Sequence, residues 1–261
     1  MIPMNDASSD LSVELVQHVA TVRIHRAPNN FFDTDLIGAL ADTFEELSQD
    51  PQCRVLVLCS EGKHFCAGAN FQGGNRKPRY DADRVHTYDQ AQRLFEQPLP
   101  VVAAIQGAAI GGGLGLALMA DFRIGSTRAR FSANFAAIGF HHGFALTETL
   151  PAVTGQQRAL EMLMTGRHVA AEEALSIGLL DRLVSESELD SAVHEFANAI
   201  ASAAPLAVRA IRATMRGDLA ARVNDVMARE KAQQQILSET QDWTEGVKAA
   251  AERRRANFVG C

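Results

Sequence analysis

Three glycines in a row, Gly111-Gly112-Gly113, stand between the apolar run Val101-Val102-Ala103-Ala104-Ile105 and the stretch Leu114-Gly115-Leu116-Ala117-Leu118-Met119. The first run is short and rich in β-branched residues. The second consists of helix formers and is apolar on all sides. The pattern reads strand, glycine turn, buried helix. Glycine tolerates positive φ and lets a ligand approach the backbone closely. A helix start presents N–H groups that have no intrahelical acceptor, at the positive end of the helix dipole. Negative charge can sit there. A second strand-to-glycine turn follows Arg54-Val55-Leu56-Val57-Leu58-Cys59, at Cys66-Ala67-Gly68-Ala69-Asn70. Two such turns can each give one N–H to the same oxygen, and an oxyanion hole commonly uses two donors. Two turns that serve packing alone are the alternative.

Other chemistry finds no support. Gly111 and Gly113 begin a G-x-G-x-x-G fingerprint, but position 116 is Leu. A phosphate-binding G-K-[S/T] and a G-x-S-x-G elbow are absent. Cys53, Cys59, Cys66 and Cys261 show no C-x-x-C and no zinc spacing, so no metal site is expected. The net charge of −6 gives no global positive field to draw in nucleic acid or a membrane surface. No apolar run reaches the roughly 18 residues of a membrane span. The first residues are not those of a signal peptide, and the expected setting is the reducing cytoplasm.

The elements that would position these turns follow from the pattern. Leu11 to Ile24 alternates in two pieces and reads as a β-hairpin. Asp33 is placed to cap a helix with Leu36, Ile37, Leu40, Phe44 and Leu47 on one face. Residues 54–59 form a strand buried on both faces. Residues 72–80 read as a basic surface loop and 81–97 as a helix stopped by Pro98 and Pro100. Short strands are expected at 123–124 and 130–131, a loop at 135–144, and a helix up to about Leu150. The remainder is mainly helical: 157–165, 170–177, 187–203, a segment from Pro205, 218–240 and 242–258, with a short strand near 180–184. This divides the chain into a flexible N-terminus (1–10), a core (11–200) and a C-terminal helical region (201–261), an α/β protein with a terminal helical layer.

Several stretches resemble the enoyl-CoA hydratase/isomerase, or crotonase, superfamily. They are His25-Arg26-Ala27-Pro28-Asn29-Asn30, Phe65-Cys66-Ala67-Gly68-Ala69-Asn70, Pro100 to Gly107 with Gly111-Gly112-Gly113, and Thr165-Gly166-Arg167 with Ala174 and Gly178-Leu179. Glu245-Gly246-Val247 and Arg253-Arg254-Arg255-Ala256-Asn257-Phe258 resemble the family's end. The resemblance implies a spiral of ββα units whose helical C-terminal region helps form homotrimers, often paired into homohexamers. It implies an acyl-CoA thioester as ligand, with coenzyme A arriving as part of the substrate and no tightly bound cofactor. Carried over, the oxyanion-hole donors are the N–H groups of Ala69 and Gly112. Arg26, Ala67 and Gly111 fall at coenzyme A-contacting positions, and Arg253 to Arg255 could reach its phosphates; surface charge is the alternative for the arginines.

The resemblance also exposes departures. A hydratase of this family activates water with two glutamates, whose places here are taken by Gly115 and Phe135. Other members carry a carboxylate slightly further on, near Gly143. None stands there, but His141 and His142 precede it and Glu148 follows. These three are the candidate acid/base residues; turn and surface roles are the alternative. The expectation is an isomerase or hydrolase acting on acyl-CoA rather than a simple hydratase. A hydratase with a substitute acid/base and a non-catalytic acyl-CoA-binding protein are the other readings.

Overall fold

A computed structural model describes residues 10–70 and 85–261. The expected flexible N-terminus, apart from Asp10, and the expected loop at 72–80 lie outside the described residues. In chain order the elements are β1 (Leu11–Val16), β2 (Val19–Ile24), α1 (Thr34–Gln49), β3 (Val55–Ser60), α2 (Thr87–Glu96), β4 (Val101–Ile105) and β5 (Ala108–Ile110). Then come α3 (Gly112–Met119), β6 (Phe122–Ser126), β7 (Arg130–Ser132), α4 (Leu146–Thr154), α5 (Gln156–Thr165), β8 (His168–Ala170) and α6 (Ala171–Ser176). The chain ends with β9 (Arg182–Val184), α7 (Leu189–Ala201), α8 (Pro205–Arg216), α9 (Leu219–Leu237) and α10 (Gln241–Glu252).

The larger sheet has the order β1-β2-β3-β4-β6-β9. The β1–β2 hairpin is antiparallel, and every later pair is parallel. Parallel pairs require crossovers, and the helices supply them. β3 shows why the sheet is covered on both faces. Leu56 and Leu58 belong to the main core, while Val55, Val57 and Cys59 face the other way, onto Leu189, Val193 and Ala197 of α7. Successive side chains of a strand point to opposite faces, so six buried residues in a row need two covering layers.

A smaller layer, β5-β7-β8, runs beside the first. The stretch at 66–69 extends it, through bridges from Cys66 to Ala109 and from Ala69 to Phe32. Each strand–strand–helix unit thus gives one long strand to the large sheet and one short extended piece to the small layer. This is the α/β spiral of ββα units that the resemblance implies.

The hairpin, α1 with its Asp33 cap, and β3 form as the sequence pattern indicates; the Asp33 side chain accepts from Leu36 N–H. Four details differ. β5 replaces part of the expected glycine turn, because Ala108 to Ile110 finds two backbone partners, the 66–69 stretch and β7. Among the described residues α2 starts only at Thr87, where His86 and Asp89 form a reciprocal cap. β8 at 168–170 precedes α6 because it pairs with β7. The last helix stops at Glu252 rather than Phe258: Arg253 adopts φ 55°, and Asp242 draws in Val259 and Gly260 N–H.

The C-terminal helices join the main core through Val223, Met227 and Trp243, the last packed on Phe140 with ring centroids 4.1 Å apart. Among the described residues no helix is long and apolar enough to cross a membrane.

Candidate active site

The two glycine turns meet. Cys66 N–H donates to Ala108 O and Ile110 N–H to Cys66 O, each at 3.0 Å, so the 66–69 stretch runs alongside β5. Gly68 (φ 85°) and Gly111 (φ 56°) then turn the chain in the left-handed region, where a side chain would be strained. A β-carbon placed on Gly68 would lie 2.8 Å from Ile110 O and 3.5 Å from Gly112 N. One placed on Gly113 would run into the carbonyl oxygen of Cys66. Only glycine lets the two backbones come this close.

Gly112 opens α3, which is buried and apolar all round, so its N–H has no intrahelical acceptor. Among the described residues no protein group accepts from the N–H of Gly112 or of Ala69, and both residues are half-buried. The Ala69 turn is braced from beneath. Asn30, fully buried, donates through Nδ2 to Glu61 O and His64 O, at 2.8 and 2.6 Å. Gln106 Nε2 reaches Ser60 O and His64 O at 3.0 and 2.9 Å.

Beside Gly112 the surroundings are aromatic. A β-carbon on Gly112 would strike the ring of Phe32 and come within 3.7 Å of Phe144. Phe144 packs tilted against Phe32 with ring centroids 5.5 Å apart and meets Tyr88 edge-on at 6.3 Å. At Gly115 a β-carbon would lie 2.5 Å from Phe144 Cβ and 2.7 Å from Phe144 O. Phe135 is buried, with its ring 3.7 Å from a β-carbon on Gly111. The positions carried over from the hydratase glutamates are therefore packed apolar contacts, with no room at 115 for a longer side chain.

Of the three candidate acid/base residues, the two histidines stay together and Glu148 is turned to another partner. Glu148, half-buried, is held at 2.7 Å by Arg222 of α9, which packs against α4. His141 Nδ1 bonds the carbonyl of His142 at 2.7 Å, and the two imidazoles stack at 4.1 Å. His142 Nε2 lies 2.8 Å from Thr147 Oγ1, which itself donates to Glu230 Oε1 at 2.6 Å. With its hydrogen committed, the hydroxyl can only accept, which makes His142 the Nε2–H tautomer and leaves Nδ1 with the lone pair. A β-carbon on Gly143 would collide with the Tyr88 hydroxyl.

The expected coenzyme A contacts fare unevenly. Arg26 is spanned between Asp10 and Asp33, at 2.5 and 2.8 Å, so two carboxylates already meet its charge. Ala67 and Gly111 use their N–H groups on Asn29 O and Ser132 O. Arg254 is held by Glu245 and Glu252. A half-open cavity of about 250 Å³ is lined by Gly62, Lys63, Gln106, Arg128 and Glu186, where Arg128 and Glu186 form an ion pair.

Three residues escaped the sequence reading: Tyr88, Glu230 and Gln234. Glu230 and Gln234 share the buried face of α9 with Val223 and Met227. An acid in the apolar stripe of a helix was the available signal, since acids are almost never fully buried unless partnered.

Burial pushes the Glu230 carboxyl up to about 7, against three hydrogen bonds that lower it. Burial, and then His141, hold His142 down to about 4. Their 3.9 Å approach is accordingly no ion pair at neutral pH: the imidazole is neutral and the link runs through Thr147. The two shifts act on stability with opposite signs. Between the ordinary 4.5 and about 7, folded Glu230 keeps a proton that the unfolded chain has lost, so stability falls as pH rises. Between about 4 and 6.5, unfolded His142 binds a proton that the folded chain lacks, so stability rises with pH. Glu230→Gln removes only the first effect. Urea unfolding is expected to show the variant gaining on the wild type by about 1.4 kcal/mol per pH unit as pH rises through this window. Parallel curves would contradict the burial of an ionisable group there.

Comparison with known proteins agrees with this architecture. The sequence profile described as enoyl-CoA hydratase/isomerase matches residues 14–260. The (E)-benzylidenesuccinyl-CoA hydratase of Thauera aromatica is 34% identical over 258 residues, covering 96% of this chain and 99% of that protein. The crotonyl-CoA hydratase of Syntrophomonas wolfei is 31% identical over 257 residues, covering 97% and 99%. The crystal structure of an enoyl-CoA hydratase/isomerase from Pseudoalteromonas atlantica superposes with a TM-score of 0.85 at 30% identity, covering 96% of this chain and 100% of that one. Matched in sequence and in fold along nearly its whole length, the chain belongs to the enoyl-CoA hydratase/isomerase family and has the crotonase fold.

Proposed function

We propose that this protein binds an acyl-CoA thioester with its carbonyl oxygen between the N–H groups of Ala69 and Gly112. The observation that carries the reading is the contact of the two turns, with both donors uncommitted and half-accessible. Two preset backbone dipoles stabilise an enolate or a tetrahedral oxyanion more than they stabilise the neutral carbonyl, which lowers the barrier.

Proton transfer next to that carbonyl, or hydrolysis, is the chemistry we assign, rather than simple hydration. Phe144 packs over Gly115, and Phe135 is itself apolar, so the pair of carboxylates that a hydratase uses to activate water has no counterpart at these positions. The proton carrier we assign is His142, through Nδ1, with His141 stacked behind it. Glu148, turned to Arg222, receives no role. Turnover of a panel of enoyl-, β-oxo- and cyclic acyl-CoAs by wild type and His142→Ala tests the assignment; equal rates remove His142 from the mechanism.

Hydration through a substitute acid/base is the second reading, favoured by the names of the two relatives. It predicts solvent oxygen in the product formed from crotonyl-CoA. We also assign a homotrimeric or homohexameric assembly. α8 has no buried residue and leaves Leu206, Ile211 and Met215 exposed, Met215 by 81%. Arg212 and Arg216 meanwhile tie the helix to Asp121. Light scattering on the purified protein is expected to give three or six times the chain mass, and a monomer would contradict this.

A further inference from the structure

Phe144 (φ 59°) and Ala145 (φ 61°) are consecutive non-glycine residues in the left-handed region, which L side chains rarely adopt. Something must hold them there. The Glu230 carboxylate, 1% exposed, accepts from Ala145 N–H at 2.9 Å, from Thr147 N–H at 3.0 Å and from the Thr147 hydroxyl at 2.6 Å. One helical turn on, Gln234 donates to His141 O at 2.9 Å and accepts from the Tyr88 hydroxyl at 3.0 Å. The face of α9 is thus a shelf carrying both sides of the 141–147 loop. The residue so held, Phe144, is the one that lies against Gly112 and Gly115.

We infer that Glu230 is a positioning residue: its carboxylate fixes the Phe144–Ala145 turn, and with it the acyl-side wall against the Gly112 donor. The inference rests on the acyl-CoA reading of the site. The ionised carboxylate is the competent form, because its two oxygens can accept all three donors. A proton on one oxygen, or the amide of glutamine, sets hydrogen against hydrogen at that corner. The groups around it leave the carboxylate in control. His142 Nε2, at 3.9 Å, is committed to Thr147, and His141 stacks on His142. From α4, Glu148 pairs with Arg222, which also holds Asp218; from α2, Asp89 faces Lys231 at 3.7 Å and the Tyr88 hydroxyl faces Gln234. Burial raises Glu230 to about 7, so the competent form fills as pH rises through neutrality.

The test compares wild type, Glu230→Gln and Thr147→Val, the last removing one hydroxyl should the first fail to fold. Hydrogen exchange is read in peptides spanning 141–150, and calorimetry compares crotonyl-CoA with free coenzyme A. Glu230→Gln is expected to lose protection in that segment and keep it in β3. It is expected to bind crotonyl-CoA about tenfold more weakly with coenzyme A unchanged, and to lower kcat by about a hundredfold, the cost of a 1 Å misplacement. The wild-type rate should rise with pH along a limb near 7 that the glutamine variant lacks. Thr147→Val should show the same losses of protection and affinity at smaller size and keep the limb, moved to higher pH because a hydrogen bond that lowers Glu230 is gone. Wild-type protection, affinity and pH profile in both variants overturn the inference. A wild type that ignores crotonyl-CoA overturns the acyl-CoA reading instead, while the exchange data still decide whether Glu230 holds the turn.

Discussion

Gly68→Ala is expected to lower kcat/KM on acyl-CoA substrates by about a hundred- to a thousandfold, the usual effect of losing one oxyanion donor. The substitution removes no side chain from the site. It acts through the backbone in two ways. The φ of 85° becomes strained for alanine, and the new methyl would lie 2.8 Å from Ile110 O, a backbone atom that β5 holds still through its pairing with β7. The stretch carrying Ala69 must move, and its N–H leaves the line it shares with Gly112. Most of the loss should fall in kcat, because the donor acts more strongly on the transition state than on the bound ester. Circular dichroism and the urea midpoint separate this from unfolding. A folded variant with wild-type kcat would remove Ala69 from the hole.

Gly115→Glu puts a carboxylate back where a hydratase would carry one, and it is expected to fail. The β-carbon alone would lie 2.5 Å from Phe144 Cβ and 2.7 Å from Phe144 O. Phe144 cannot retreat: it is fully buried, in a left-handed turn whose next residue is bonded to Glu230. Overpacking of this kind costs typically about 1–3 kcal/mol, and an acid buried without a partner adds to it. The variant should unfold at clearly lower urea, or express as aggregate, and gain no hydration of crotonyl-CoA. A stable variant that hydrates would show that Phe144 is movable and that hydration was one substitution away.

The contrast between the two glycines marks what the sequence made legible. Apolar runs beside glycines identified both turns, and Asp33, Leu36, Leu40 and Phe44 marked α1 by spacing alone. These features are local: each depends on residues a few positions apart. β5 and β8 went unread because each is defined by its partners elsewhere in the chain, Cys66 and β7 for the one, β7 for the other. The site was half legible for the same reason. Backbone donors come from turns and can be read from glycine. The surroundings of the histidines come from α9, more than eighty residues downstream, as the Thr147–Glu230 bond shows. His141, His142 and Glu148 stood together in sequence, yet one turns to Arg222 and another to Thr147. His142 lies before α4 and Glu148 within it, with the left-handed turn at Phe144–Ala145 between them, and sequence spacing alone did not say where α4 begins.

The central claim is that Ala69 and Gly112 polarise a thioester carbonyl. Isotope-edited infrared spectroscopy of crotonyl-CoA carrying ¹³C at the thioester carbon reads that bond directly in the bound state, whatever reaction follows. Two aligned N–H donors weaken the C=O bond, so the band should shift to lower frequency on binding to wild type and move back toward its solution position on binding to Gly68→Ala. A bound carbonyl band unshifted from solution in the wild type, at saturating protein, would contradict the account.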